Sequence, residues 1–371
     1  MCQKHKSQNQ AGYSMIELMI ALSMTLVISA ASFALFGSSM KFANATYHLT
    51  EAEQSLRNAH EVMNRDLTTA GDGLRGIGTI TAPLTFVNTF VTRTPVTCGV
   101  DPNYPCIGIV TSDDNIPSGI AIPQSSPAIN FQANSDRISM LTRDTNFNFG
   151  NVVSLLAGKI TVSGSNTQIN VGSANIGLFQ NNEIYAIVSQ NSAAFGVVTG
   201  VNTATFVVTM NNSDGGFGLN QTSATAPVSL VSSVVSGAST QAVSIMRLQI
   251  IQYFVDANGL LIRRVYGVQG GSFLDSVVAE HITNLQFRYM TSLPDANGFV
   301  KQPSRVLATS TEQAALRQVE TSIGVETVRA VNAVTNSNSA SSICGPSPNG
   351  RQSLCSTTAT TVRNLQFRKA L

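Results

Sequence analysis

The chain has 371 residues, long enough for one large domain or two modest ones, and only 11% of them are Asp, Glu, Lys or Arg. Its net charge of +2 is accounted for by Lys4 and Lys6, and no Lys/Arg cluster with interleaved aromatics gives the stripe a nucleic-acid binder needs. Few charges with abundant Ser, Thr, Asn, Gly and Val suit an exported, β-rich protein.

Residues 1–12, MCQKHKSQNQAG, are polar, and Leu18–Phe36 then runs without a charge for long enough to cross a bilayer as a helix. The lysines ahead of it are expected to stay cytoplasmic, which places everything after about residue 40 outside. A secretory signal would put its cleavage site after the apolar run; here the run lies behind Gly12 and opens with an acid, Glu17. A carboxylate at the edge of a spanning helix is costly unless it is paired or near headgroups.

Past the membrane run, Phe42, Ala45, Leu49, Ala52, Leu56, Ala59 and Met63 step by three and four, an amphipathic helical stripe. Glu53/Arg57 and Glu61/Arg65 add i,i+4 pairs. One helix from Tyr13 to about Thr69 makes a rod of roughly 85 Å, with Gly71 and Gly73 as stop signals.

Beyond Gly76 short β-prone runs alternate with Gly, Asn, Pro and Ser, as in Arg137–Leu141, Glu183–Val188 and Thr205–Thr209. The clearest hairpin joins Leu248–Val255 to Leu260–Tyr266 through Asp256-Ala257-Asn258-Gly259, whose Asn-Gly tolerates positive φ. Ile282–Tyr289 follows as an alternating strand. Asn-Leu-Gln-Phe-Arg occurs at 284–288 and again at 364–368, and both copies are predicted to be strands. The Pro/Ser/Asn-rich stretch 335–353 reads as an exposed loop.

Several chemical signatures fail in context. Gly71-Asp-Gly73-Leu-Arg-Gly76 matches GxGxxG but has a helix before it and β structure after it, the reverse of a dinucleotide site. His60-Glu61-Val62-Met63-Asn64 approaches HExxH, with asparagine where zinc needs its second histidine. Asp256–Gly259, Asp295–Gly298 and Asp113-Asp114-Asn115 offer oxygens, yet too few for calcium, and read as ordinary turns and a solvated loop. No catalytic residues, cofactor or metal site is expected, and the chain is not read as an enzyme.

GYSMIELMIALSM resembles the type IV prepilin signature: a short basic leader, a glycine, then an apolar stretch with glutamate fifth after the cut. Tyr13 stands where that family usually has phenylalanine. The resemblance implies cleavage between Gly12 and Tyr13 by a membrane aspartyl prepilin peptidase, methylation of the Tyr13 amine, and a role for Glu17 in assembly. Ala52–Gly71 with Arg65-Asp66-Leu67, IIQYFVDANGLLIRR, ITNLQFRY and VRNLQF narrow the resemblance to PilW-type minor pilins. It implies an α+β pilin-like fold, a long N-terminal helix on an antiparallel sheet with an elaborated β-rich body. The implied division is a leader at 1–12, a transmembrane half-helix at 13–40, an amphipathic half at 41–70 and a globular domain at 71–371. The implied partners are other major and minor pilins, the peptidase, the inner-membrane assembly platform and membrane lipid. The expected location is a single pass of the inner membrane with a periplasmic domain, then the pilus surface. A type II secretion pseudopilin and a tip adhesin or DNA-uptake module are the alternatives.

If the leader is removed, Cys2 leaves with it, and Cys98, Cys106, Cys344 and Cys355 remain. Cys98–Cys106 with Cys344–Cys355 is the simplest of three connectivities, and bridges imply an oxidising compartment.

Overall fold

The computed structural model describes residues 12, 14–74, 80–97, 101–125, 127–156, 158–163, 166–188, 193–212, 214, 216–220, 242–268, 273–295, 297–299, 301–328, 351 and 353–366. One helix, Met15–Thr69, runs for 55 residues. Its apolar half carries hydroxyls, and these fold back on the preceding turn: Thr25 Oγ1 donates to the Ala21 carbonyl at 2.5 Å and Ser32 Oγ to the Ile28 carbonyl at 2.8 Å. These donors are thus satisfied inside the helix, the condition a bilayer imposes.

Burial begins later than the predicted stripe. Ala52, Leu56, Ala59, His60, Met63, Asp66 and Leu67 are buried, Ala45 and Leu49 are half-buried, and Phe42 is exposed. The first ten turns or so therefore project from the body, because the sheet beneath reaches only the last part of the helix. Glu53 and Arg57 lie 3.9 Å apart as predicted; Arg65 instead approaches Asp66, at 4.0 Å. The helix stops at the predicted glycines. Gly71 takes φ +80° and its N–H donates to the Leu141 carbonyl at 2.7 Å. A Cβ there would lie 2.9 Å from Ile109 Cγ2, so glycine meets both a conformational and a steric demand.

The largest sheet runs Phe273–Ala279, Leu261–Tyr266, Val243–Val255, Arg137–Arg143 and Val110–Asp113, with every neighbouring pair antiparallel. The predicted hairpin is present: Val255 faces Leu261, Gly259 has φ +77°, and Asp256 Oδ1 accepts the N–H groups of Asn258 and Leu260. The strand predicted at Thr205 starts at Val207, since Phe206 holds φ +57° in the preceding turn.

A three-stranded antiparallel sheet, Ile282–Thr291, Leu316–Glu326 and Ser353–Thr361, lies against the helix. Leu285, Phe287 and Tyr289 turn inward and are buried while Gln286 and Arg288 turn out, as the alternation predicts. The described part of the second copy, residues 364–366, departs from its predicted strand: Arg363–Gln366 is a short helix. Strand pairing ends at Thr361 opposite Gln318, and Asn364 Nδ2 donates to the carbonyls of Thr69 and Ala70 at the end of the long helix. Tertiary hydrogen bonding overrides a shared pentapeptide.

The 13-residue strand Val243–Val255 also belongs to a second layer. Its first residues pair with Val153–Leu155 and with Ile184–Val188, and the latter pairs with Ala193–Val197. A four-stranded sheet, Gly200–Asn202, Val207–Met210, Asn166–Asn170 and Ile160–Ser163, lies beyond. These elements enclose their own cluster around Phe147, Phe179 and Tyr185, separate from the main core under the helix. The β-rich body thus has two lobes with separate cores, and Val243–Val255, Ile184–Val188 and Ala193–Val197 contribute side chains to both.

Candidate functional site

Gly12 is exposed just before the helix, and a Cβ added there would meet nothing within 4 Å. Tyr13 lies outside the described residues. Glu17 sits in the first turn of the helix, exposed, and its Oε2 accepts the Ser14 N–H at 3.1 Å. That is half of a capping box: the acid satisfies one of the amides a helix start leaves open and complements the positive end of the dipole. In the sequence Glu17 stands out for its cost in apolar surroundings; the Ser-x-x-Glu spacing, Ser14 to Glu17, is the signal for this second role.

From Met15 onward large apolar side chains stand in the open, with Phe33 76% exposed. No partly buried residue occurs before Gly37 among the described residues of the helix, and full burial begins at Ala52. An apolar rod of this length is held against a folded body at one end only.

The hold on that end is polar at its centre. Asp66 is buried on the helix, and its Oδ2 receives Arg263 Nε at 2.5 Å and the Tyr253 hydroxyl at 2.7 Å, both from the hairpin strands. Burial, with the Asp66 charge beside it, pushes the Tyr253 hydroxyl well above its usual pKa, so it remains a donor. Nearby, Thr358 Oγ1 and His60 Nδ1 are 2.8 Å apart, and Thr360 Oγ1 donates to Asn64 Oδ1 at 2.5 Å. The near-HExxH residues His60 and Asn64 therefore face the sheet one helical turn apart, and burial holds the His60 imidazole below its usual pKa. Asn58 Nδ2 donates to the Val278 carbonyl at 2.8 Å. In the sequence Asp66 enters only through a resemblance; an acid within the apolar stripe is the sign of a buried partner that pattern reading missed.

Cys106 and Cys355 are each disulfide-bonded, whereas Cys98 and Cys344 lie outside the described residues. The turn carboxylates are committed to local amides: Asp256 as above, and Asp295 Oδ1 to the N–H groups of Asn297 and Phe299. Asp113 departs from a solvated loop. It is buried and ion-paired to Arg137, whose Nη2 lies 2.5 Å from Oδ2.

Asp136, also buried, accepts the N–H of Asn115 at 2.8 Å and of Phe287 at 2.7 Å. Burial outweighs those two bonds and pushes its pKa up to about 6. Between its unfolded value and about 6 the folded chain binds the extra proton, so this group makes folding weaker as pH rises through that window. Relative to Asp136→Asn, the wild type is expected to lose up to about 3 kcal/mol of stability from pH 4 to pH 7, since each tenfold difference in proton affinity between folded and unfolded chain is worth about 1.4 kcal/mol. Urea unfolding in detergent at both pH values checks this, and parallel pH profiles for the two proteins would refute it.

Residues 7–33 match the family model of the prokaryotic N-terminal methylation motif. No curated protein matches the chain. Among solved structures it is similar to a type IV-like pilin from Thermus thermophilus at 9% identity, with 84% of this chain and 96% of that chain covered and a TM-score of 0.31.

Proposed function

We propose that this chain, whose residues 7–33 carry the prepilin-type methylation signal, is a structural subunit of a type IV pilus and not an enzyme. Residues 1–12 form the leader, cut between Gly12 and Tyr13 by a prepilin peptidase that then methylates the Tyr13 amine. Residues 13–40 remain in the inner membrane, 41–70 carry the helix onto the body, and 71–371 fold in the periplasm before passing to the filament. The observation that carries this reading is an exposed apolar helix with an acid in its first turn, anchored to a β-rich body at its far end.

In this reading Glu17 alternates between two partners. In the lone subunit it caps its own helix; in the filament it meets the methylated amine of a neighbouring subunit, where an unpaired carboxylate would be costly. The role extends to a PilW-type minor pilin that initiates or caps assembly with other major and minor pilins on the inner-membrane platform. The sequence segments around Arg65-Asp66-Leu67 and the Asp256–Gly259 hairpin support it. Periplasmic folding accords with bridges at Cys106 and Cys355, and the proposed pairs are Cys98–Cys106 and Cys344–Cys355.

Mass spectrometry of protein purified from membranes tests both points. The expected result is an amino terminus at methylated Tyr13 and two local disulfide-linked peptide pairs, with Gly12→Leu accumulating as uncut precursor. An intact Met1, or a cut after the apolar run, overturns the pilin reading. Four free thiols overturn the pairing alone.

A further inference from the structure

Away from the helix, one part of the surface gathers polar side chains around an open cleft. The outer face of the three-stranded sheet presents Asn284, Gln286 and Arg288 at alternate positions of Ile282–Thr291. Asn115 and Asn134, both at positive φ, and Arg305 wall this face into a cleft of about 260 Å³. Part of its lining is already bonded: Asn115 Nδ2 donates to Asp114 Oδ1 at 3.1 Å, and Asn284 also has a partner. Gln286 Nε2 donates to the Asn134 carbonyl at 2.9 Å, while its Oε1 accepts from Arg305 Nη1 at 3.4 Å. The Arg305 side chain is 52% exposed and stands 3.9 Å from Asp114. Arg288 is exposed and has no ion pair or hydrogen bond among the described residues, although Glu320 stands opposite it across the strand pair.

The geometry points to a binding cleft for a carboxylate-bearing, hydroxyl-rich ligand, the chemistry of an acidic sugar unit. Two guanidinium groups from separate segments offer the planar fork that a carboxylate accepts at two points. The Asn134 side-chain amide can donate and accept, and the Asn115 amide, one of whose N–H groups goes to Asp114, keeps its oxygen and second N–H, which matches adjacent hydroxyls that do both. Only part of an extended chain would fit, since the volume lies just below the usual range of small-molecule pockets. A single-stranded nucleic acid suits the cleft less well. Phe287, the aromatic residue at its floor, is 1% exposed and gives no stacking platform, and no lysine is among the described lining residues.

This inference is independent of the pilus reading. The test titrates the full-length protein in detergent with tetragalacturonate, with maltotetraose as the uncharged control and a short oligothymidylate as the phosphate arm. Tetragalacturonate is expected to bind saturably, maltotetraose not, and Arg288→Ala with Arg305→Ala to weaken binding by about tenfold or more, as loss of charged hydrogen bonds does. Arg288→Lys, which keeps the charge and loses the fork, is expected to fall between. Both arginines are exposed, so an unchanged melting temperature confirms folded variants, and Asn134→Ala serves as a second probe of the same wall. No saturable binding of tetragalacturonate, equal binding of maltotetraose, tighter binding of oligothymidylate, or affinity unaffected by all three alanine substitutions would each overturn the assignment.

Discussion

Replacing Asp66 with alanine is expected to destabilise the body by about 3–5 kcal/mol, the range for breaking a buried ion pair by deleting one member. The substitution leaves Arg263 without its carboxylate and the buried Tyr253 hydroxyl without its acceptor, across the interface that ties the helix to the hairpin. The loss concerns the surviving partners more than the aspartate itself. Asp66→Leu combined with Arg263→Met, which removes both charges and keeps apolar volume, should therefore recover much of it. Denaturant unfolding in detergent gives the stability, and amide exchange over Ala52–Thr69 shows whether the helix end lifts off. A cost below about 1 kcal/mol, the level of an exposed pair, would show that this contact does not hold the helix.

Arg247→Met is expected to be at least as damaging, because one guanidinium serves two buried acids. Arg247 Nη1 lies 2.6 Å from Glu183 Oε1, and Arg247 Nη2 lies 2.6 Å from Asp144 Oδ2. Glu183 is 0% exposed and Asp144 is 2% exposed. The Glu183 carboxylate also takes the Tyr185 hydroxyl, whose pKa burial pushes far up. Removing the guanidinium strands two carboxylates where the lobes meet, at a cost of about 3–5 kcal/mol or more. Arg247→Met combined with Asp144→Asn and Glu183→Gln removes the stranded charges along with the cation and should recover part of the loss. Denaturant unfolding checks this, and a triple variant no more stable than Arg247→Met would place the defect in packing and refute this account.

The long helix was legible because its signals are local and redundant: an uncharged run, a three-and-four stripe, and glycines at the stop. Its docking boundary was not, since Phe42 and Leu56 look alike in periodicity and differ only in whether a sheet reaches them. The Asp256–Gly259 hairpin could be read from Asn-Gly between two alternating runs, a property of the turn alone. The second Asn-Leu-Gln-Phe copy could not, because its conformation depends on the carbonyls of Thr69 and Ala70, nearly three hundred residues earlier in the chain.

The candidate site divides the same way. Gly12 and Glu17 are readable as candidates from sequence because the signal that singles them out is linear: a small residue, an offset, an apolar length. The clamp of Asp66 with Arg263 and Tyr253, the bridge of Arg247 to Asp144 and Glu183, and the amide-lined cleft are each assembled from residues far apart in the chain. Pattern and composition determined that the chain has a helix long and apolar enough to cross a membrane and a β-rich body. Only tertiary structure decided which of the few charges are buried in pairs and which remain open to solvent, because burial depends on what packs above a residue and not on its neighbours in sequence.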